Sequence, residues 1–194
     1  HGPGDCAAYP NTAAQLAALL TLSAEVGIEP VILGAGTNVL APDAGLRRLV
    51  IVLKDALEGM EQIGETSIRV MAGVTMSRAA VFAAGLNLGG LEFAHGIPGT
   101  IGGGVYMNAG AYGGEMSQAV TLVGGYDMTG EPFSHNHYEM QFGPRHTRLM
   151  AENKLVTHVT FELHHGKREE RLAEMVDFNT RRAEKQPLTR FSAG

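Results

Sequence analysis

Cysteine is nearly missing from this sequence. The single cysteine among 194 residues, Cys6, excludes an internal disulfide and any multi-cysteine zinc site. This favours a protein that works in a reducing compartment. We interpret Cys6 as an inert small residue of the core. Basic residues are also few, 15 against 20 acidic ones, which gives a formal charge of -5. Such a chain has no overall positive field for a phosphate backbone, so we expect no nucleic-acid partner.

Long apolar runs are missing as well. No stretch of about 18 apolar residues could span a bilayer, and no charged and then apolar leader opens the chain. We expect neither membrane insertion nor a secretory signal, and we expect a cytoplasmic location. The first residue is His1 rather than methionine, and Phe191 to Gly194 add no closing element. The sequence is therefore interpreted as a piece of a longer protein, and its oligomeric state stays open.

Glycine is the residue in excess. The chain has 26 glycines in 194 residues, roughly twice the usual share of about 7%. Eleven of them lie between Gly85 and Gly114. No helix or ordinary strand is expected to tolerate this density, because each interior glycine costs about 0.5–1 kcal/mol relative to alanine. The backbone of this segment is expected to adopt positive φ angles or to approach a ligand closely.

Hydrophobic periodicity predicts a mixed helix and strand content. With 44% hydrophobic and 18% charged residues, the chain is expected to form one sizeable domain or two tightly joined subdomains. Three helices are predicted, from the capping residues Asn11 and Thr12 to Gly27, from Thr75 to Gly85, and from Lys167 to Glu184. The last has a buried stripe of Leu172, Met175 and Val176 and ends at Pro187. Strands are predicted at residues 31–33, 49–53, 68–72 and 156–163 and from Ala119 onward, with a hairpin tip at residues 128–130.

Two glycine segments carry the predicted chemistry. The first, Gly34 to Leu40, follows a strand, and its backbone N–H groups could converge on an anion with added donors from Thr37 and Asn38. It lacks the Gly-Lys-Ser/Thr of a Walker loop and the third glycine of a Rossmann fingerprint, so a simple tight turn remains equally open. The second segment runs from Gly89 to Gly113. It suits a large flat or multiply phosphorylated cofactor that lies against bare backbone and is held by backbone dipoles.

Specific motifs within these segments identify a family. In order they are Gly34 to Leu40, Ala72 to Val74, Gly96 to Gly104, and the Asn-Ala-Gly-Ala-Tyr-Gly run from Asn108 to Gly113. This order resembles the FAD-binding part of the UDP-N-acetylenolpyruvoylglucosamine reductase family, over essentially the whole chain. The match continues through residues 126–130 and 139–143, Arg145, Arg182 and residues 186–187.

The resemblance implies a fold and a domain organisation. The fold would be α+β, the two-subdomain FAD-binding fold shared with vanillyl-alcohol oxidase and p-cresol methylhydroxylase. Residues 1–60 would form an N-terminal subdomain and residues 61–165 a second one. Residues 166–194 would be a helix and linker that lead to a substrate-binding domain not present in this chain.

The resemblance also implies an activity and a set of site residues. NADPH would reduce a non-covalently bound FAD, and the hydride would pass to the enolpyruvyl group of a UDP-sugar in peptidoglycan synthesis. Arg145 would be catalytic and would stabilise negative charge on the substrate. The serine that protonates the substrate and a later glutamate would lie beyond Gly194. The cofactor-binding residues would be Gly34, Ala35, Gly36, Thr37, Asn38, Val39, Ala72, Gly73, Val74, Gly96, Ile97, Pro98, Gly99, Thr100, Gly102, Gly103, Gly104, Asn108, Gly110 and Val156.

Some residues differ from the family pattern, and a few histidines are candidates for other sites. Pro144 stands where the family usually has tyrosine, which fixes φ and removes an N–H beside Arg145, and Thr37 replaces the commoner serine. His135 and His137 lack a third ligand, so we expect an exposed loop there and no metal site. His95 is expected to pack beside the flavin. The alternatives to the reductase are another flavin oxidase of the same fold and an FAD-binding fragment without catalysis.

Overall fold

A small parallel sheet and one helix form the first part of the protein. The computed structural model describes residues 4–40 and 42–186. Its first elements are strand β1 (Gly4–Ala8), helix α1 (Ala13–Glu25), strand β2 (Val31–Leu33) and strand β3 (Leu46–Val52). The strands lie in the order β1-β3-β2 and are all parallel. The helix begins as predicted, because the Thr12 hydroxyl accepts a hydrogen bond from the Gln15 N–H at 3.1 Å.

The remaining elements surround a five-stranded antiparallel sheet. In chain order they are β4 (Met60–Gln62), β5 (Ser67–Met71), α2 (Met76–Gly85), β6 (Leu88–Gly89), α3 (Ile101–Tyr106), β7 (Gly110–Ala111), β8 (Gly114–Glu115), β9 (Val120–Asp127), β10 (Pro132–Asn136), α4 (His137–Met140), α5 (Arg148–Glu152), β11 (Lys154–Glu162), β12 (His164–His165) and α6 (Arg168–Lys185). The sheet order is β10-β9-β11-β5-β4, so β11 is the central strand.

Two apolar clusters hold these layers together. The larger cluster packs the antiparallel sheet against α2, α3 and α6, with fully buried residues such as Val70, Ala80 and Phe161. The smaller cluster joins Leu16 and Leu20 of α1 to β3, and Leu155 of β11 belongs to it. Strand β11 of the antiparallel sheet therefore packs into the smaller cluster together with α1 and β3.

Most of the predicted elements agree with the structure. The helices α1, α2 and α6 and the strands β2, β3, β5, β9 and β11 lie within a few residues of their predicted positions. The hairpin tip at residues 128–130 joins β9 to β10 and contacts α1, since the Thr21 hydroxyl donates to the Thr129 carbonyl at 3.0 Å. Pro187, the predicted end of the last helix, lies outside the described residues.

One expectation about the glycine segment is wrong. Its centre forms helix α3 despite three consecutive glycines, Gly102 to Gly104. A Cβ on Gly102 would lie 2.8 Å from the Ala72 Cβ, and one on Gly104 would lie 2.7 Å from the Met76 sulfur. The helix therefore packs more closely on its neighbours than alanine would allow, which offsets the low helix propensity of glycine.

Three smaller expectations also require correction. Cys6 is exposed on β1 rather than buried in the core. Val176 is 64% exposed, so only Leu172 and Met175 of the predicted stripe on α6 face the core. His135 and His137 lie on β10 and α4 rather than on an exposed loop, and the His135 side chain is only 12% exposed. No helix within the described ranges has the length and apolar character needed to cross a bilayer.

Candidate functional site

A cavity of about 340 Å³ lies between the two sheets. Its volume falls within the range of about 300–1,000 Å³ that is usual for small-molecule sites. Strand β2, helix α3 and the start of β11 form its walls. Six residues predicted to bind the cofactor line it: Gly34, Ala72, Thr100, Gly102, Gly103 and Val156. The structure therefore brings together residues from three of the four predicted motifs and from a strand far along the chain.

The cavity has apolar walls and a charged rim that the sequence reasoning missed. Ile32, Leu53 and Leu155 form much of the apolar wall. At the rim, Arg48 pairs with Glu29 at 2.6 Å, and Asn153 and Lys154 complete the edge. These polar residues come from separate parts of the chain with no shared motif. Only their tertiary contacts could have revealed them.

The two glycine segments meet at one end of this cavity. A Cβ on Gly34 would lie 2.7 Å from the Thr100 hydroxyl oxygen, so the first loop passes directly against the second segment. The Thr37 hydroxyl donates to the Pro98 carbonyl at 3.0 Å. Thr37 thus joins the loops to each other rather than offering its proton to a ligand.

The backbone of the first loop is free to bind an anion. Within the described residues, the N–H groups of Ala35, Gly36, Thr37 and Asn38 donate no hydrogen bond to another protein group. Gly36 has φ +68° and bends the loop at its centre. Successive free N–H groups in a bent loop form the concave donor arrangement that binds phosphate groups. The structure therefore favours the anion-binding interpretation over a simple turn.

Helix α3 presents bare backbone to the cavity at Gly103. Apart from its chain neighbours and the backbone of the helix itself, a Cβ built on Gly103 would have one neighbour within 4 Å, the Thr100 hydroxyl oxygen at 3.7 Å. This contrasts with Gly102 and Gly104, whose missing side chains are needed for packing. Tyr106 at the end of α3 also lines the cavity, and burial raises the pKa of its phenol. Gly103 is thus the position in α3 where a ligand could approach the backbone.

The remaining predicted cofactor residues, Gly73, Gly96 and Gly110 among them, do not line the cavity in the described part of the chain. A Cβ on Gly73 would lie 2.6 Å from the Leu53 carbonyl oxygen, and one on Gly96 would lie 2.7 Å from the Asn179 side-chain oxygen. A Cβ on Gly110 would likewise lie 2.7 Å from the Gly114 carbonyl oxygen. These glycines allow the chain to pack closely on itself.

The turn that carries Arg145 has a well-defined geometry. Residues Gly143 and His146 exchange backbone hydrogen bonds of 3.0 and 3.1 Å, with Pro144 and Arg145 between them. Arg145 has φ +55°, as the second central residue of a type II turn requires, and proline is favoured at the first central position. Proline in place of tyrosine is therefore compatible with this turn. Arg145 is exposed, and it forms no ion pair with any described residue.

A carboxylate with several basic partners fixes Lys154 at the cavity rim. Glu152 lies 2.7 Å from the Lys154 ammonium and 3.0 Å from the His135 ring nitrogen, and Arg148 also contacts it. Hydrogen bonds from Lys154 and then from His135 lower the pKa of Glu152 to about 2. The Lys154 ammonium also lies 5.0 Å from the centre of the Phe133 ring. His135 is thus part of a charged network.

The histidines offer no metal site in the described part of the chain. No group of three or more His, Cys, Asp or Glu side chains there is arranged to hold a metal ion. The His137 ring contacts the Val120 carbonyl at 3.1 Å. The His95 Nδ1 atom lies 2.9 Å from the Asn179 side-chain nitrogen, so this contact holds the His95 ring against α6.

Comparison with known proteins identifies the fold and the cofactor. The FAD binding domain family matches residues 4–131, more than half of the chain. The UDP-N-acetylenolpyruvoylglucosamine reductase of Lactiplantibacillus plantarum is 38% identical over 100% of this chain and 63% of its own length. The enzyme of the same name from Clostridioides difficile is 39% identical, again over 100% of this chain and 63% of its own length. This chain therefore spans about 63% of the length of these relatives.

Solved structures agree with this assignment. The UDP-N-acetylenolpyruvylglucosamine reductase of Thermus caldophilus has a TM-score of 0.77 and 30% identity, over 97% of this chain and 65% of that one. A 6-hydroxy-D-nicotine oxidase from Arthrobacter nicotinovorans has a TM-score of 0.62 over 84% of this chain and 37% of that one, and at 17% identity it shows the fold alone. The predicted fold and the predicted cofactor are both confirmed. The chain has the two-subdomain fold of the vanillyl-alcohol oxidase type and belongs to the FAD binding domain family.

Proposed function

We propose that this chain is the FAD-binding part of an NADPH-dependent reductase that converts UDP-N-acetylglucosamine enolpyruvate to UDP-N-acetylmuramate for peptidoglycan synthesis. The observation that carries the proposal is the meeting of Gly34 and Thr100 at one cavity, in a chain whose whole length matches reductases at 38% identity. The proposal includes a cytoplasmic location, with which the single free cysteine Cys6 is compatible.

The cavity suits the cofactor in charge and in shape. We assign the free N–H groups of Ala35 to Asn38 to the cofactor pyrophosphate, because successive free backbone donors can hold an anion without a basic side chain. The apolar wall at Ile32, Leu53 and Leu155 suits a flat ring, and the bare backbone at Gly103 allows close approach. Bound FAD would supply the hydride-carrying centre. The other predicted cofactor residues, Val39 and Val74 among them, remain part of this proposal, except Asn108, whose side-chain amide is bound at both ends by backbone groups of the protein.

The domain organisation is also part of the proposal. We place the first subdomain at residues 1–60 and the second at residues 61–165. This division is supported by the change from the parallel sheet to the antiparallel sheet between β3 and β4. Residues 166–194 would connect to a substrate-binding region in the part of the relatives that this chain does not span.

Arg145 is the residue of this chain that we assign to the reaction itself. Its guanidinium is permanently charged, exposed, and free of ion pairs with the described residues. It would stabilise negative charge that develops on the substrate carboxylate or enolate as hydride arrives. The proton donor would come from the region of the relatives that this chain does not span. The oxidase alternative has only the shared fold in its favour.

The first test of this function is the cofactor itself. The purified chain should show an oxidised flavin spectrum, or acquire one with added FAD, and acid precipitation should release the chromophore. A colourless protein that does not bind added FAD would contradict the proposal.

The second test is turnover under anaerobic conditions. NADPH oxidation should depend on the enolpyruvyl UDP-sugar when the chain is joined to the substrate-binding region of its relatives. The 194-residue chain alone should bind FAD more weakly and should not turn over this substrate, since positioned protonation contributes about 10²–10⁴ in rate. Substrate-dependent turnover by the chain alone, with its mass verified, would show that the catalytic groups have been assigned wrongly.

A further inference from the structure

Asn108 occupies an unusual position at the end of helix α3. It lies two residues past the last helical residue and has φ +46°, a left-handed conformation that asparagine tolerates better than most residues. Its N–H donates to the Val105 carbonyl at 3.1 Å, which ends the helix. The residue is only 4% exposed. Its side chain is therefore directed into the protein by the helix end itself.

Both ends of the Asn108 amide bind backbone groups. The side-chain oxygen accepts from the Ser117 N–H at 2.9 Å, and the side-chain nitrogen donates to the Gly143 carbonyl at 3.1 Å. One partner is an obligatory donor and the other an obligatory acceptor, so the orientation of the amide is fixed. A buried amide with both ends bound acts as a rigid connection between segments.

Gly143 is the first residue of the turn that carries Arg145. Its carbonyl receives two hydrogen bonds, one from the His146 N–H within the turn and one from Asn108. The three residues that follow, Pro144 to His146, are exposed. A Cβ on Gly143 would meet only the His146 Cβ, at 3.9 Å. The turn itself has little packing, and two side-chain hydrogen bonds connect its ends to the end of α3: that from the Asn108 amide to the Gly143 carbonyl and that from the Thr147 hydroxyl to the Tyr106 carbonyl at 2.8 Å.

Helix α3 links this connection to the cofactor cavity. Gly102 and Gly103 near its start line the cavity, and Asn108 follows its end. Six helical residues span about 9 Å at 1.5 Å per residue. The same short helix thus borders the cofactor cavity and holds the Arg145 turn at its C-terminal end.

We propose that Asn108 is a positioning residue that fixes the Arg145 turn relative to the cofactor cavity. This rests on the proposed function, in which Arg145 acts on the substrate. Asn108 itself does not touch the reacting atoms. By binding the Gly143 carbonyl, the Asn108 side chain fixes the position of the turn and therefore that of the Arg145 guanidinium. A misplacement of about 1 Å at such a site can reduce the rate about 100-fold.

The first test measures the turn directly in the 194-residue chain with FAD bound. Asn108→Asp keeps the acceptor for Ser117 but places a carboxylate oxygen against the Gly143 carbonyl, so that connection is lost. Trypsin should then cleave after Arg145 about tenfold faster or more, because the turn loses a connection that restrains it. Asn108→Gly, which keeps the left-handed backbone, should behave similarly.

Ser117→Ala is the matched control for these variants. It retains the backbone N–H that binds Asn108 and should leave cleavage after Arg145 unchanged. Mass spectrometry of the fragment that ends at Arg145 gives the readout. Unchanged cleavage in both Asn108 variants would overturn the proposal, whatever substrate the enzyme uses.

The second test separates positioning from general destabilisation. In the holoenzyme with its substrate-binding region, Asn108→Asp should slow hydride transfer to the enolpyruvyl UDP-sugar about 10–100-fold while leaving flavin reduction by NADPH within about twofold. In an Arg145→Ala background the same change should cost less than about twofold, because the group that it positions is gone. An equal, additive loss in both backgrounds would overturn the positioning role. Absence of substrate turnover by the unmodified holoenzyme would instead contradict the proposed function, and the trypsin result would still decide the role of Asn108.

Discussion

Gly103→Ala should make the protein more stable and its cofactor binding weaker. Gly103 lies inside helix α3, where alanine is preferred, and a Cβ there would make an ordinary contact at 3.7 Å with the Thr100 hydroxyl oxygen. Apart from its chain neighbours and the backbone of the helix itself, no other described atom lies within 4 Å of that Cβ. The methyl group would therefore enter the cavity that we assign to FAD.

The two effects have different magnitudes. Replacing a helical glycine by alanine stabilises by about 0.5–1 kcal/mol. For a chain of 194 residues this raises the Tm of the cofactor-free protein by about 1–4 °C. Overpacking a close contact costs about 1–3 kcal/mol, which corresponds to an affinity for FAD that is about 5–150-fold lower.

Thermal unfolding of the cofactor-free protein and FAD titration by flavin fluorescence measure the two effects separately. Gly85→Ala is the matched control, because Gly85 is the exposed last residue of α2 and its Cβ would meet nothing within 4 Å. The control should also raise the Tm, without changing FAD affinity. If Gly103→Ala binds FAD as tightly as the unmodified chain, the cofactor does not lie against α3 and the assignment of the cavity is wrong.

Three further predictions concern charged side chains. Because the pKa of Glu152 is lowered from 4.5 to about 2 in the folded protein, its ionised form stabilises the fold above pH 4.5, and that contribution should be lost as the pH falls from 4.5 to about 2. The difference in Tm between the unmodified chain and Glu152→Gln should shrink over this interval, and a constant difference would contradict the reasoning. Arg145→Ala in the holoenzyme should slow hydride transfer to the substrate about 10²–10³-fold and leave flavin reduction intact in rapid-mixing kinetics; equal losses in both half-reactions would make Arg145 structural. Arg171→Ala should lower the free energy of unfolding in urea by about 1–3 kcal/mol, because it leaves the buried Glu92 carboxylate without its guanidinium at 3.4 Å. Arg181→Ala, which removes an exposed ion pair with Asp177, should lower the free energy of unfolding by less than about 1 kcal/mol. Equal losses for Arg171→Ala and Arg181→Ala would contradict this prediction.

Local sequence signals were sufficient for most helices and strands. Thr12 and Thr75 cap α1 and α2 as hydroxyl residues at helix starts commonly do, and apolar runs became β3 and β5. Capping and periodicity depend on residues a few positions apart, so they can be read along the chain. Helix α3 could not be predicted in this way. Its glycines are unfavourable locally and are compensated only by contact with Ala72 and Met76.

The sequence by itself determined that a glycine-rich backbone would hold a cofactor, because glycine density has a local conformational cost that needs a compensating contact. It also carried the motifs that identified the family. The tertiary structure alone decided which glycines face the cavity and which serve packing, as Gly103 and Gly104 show. It also decided the charged rim at Lys154 and the link from Asn108 to Gly143. These features join segments far apart in the chain, and such contacts depend on how sheets and helices pack rather than on any pattern of neighbouring residues.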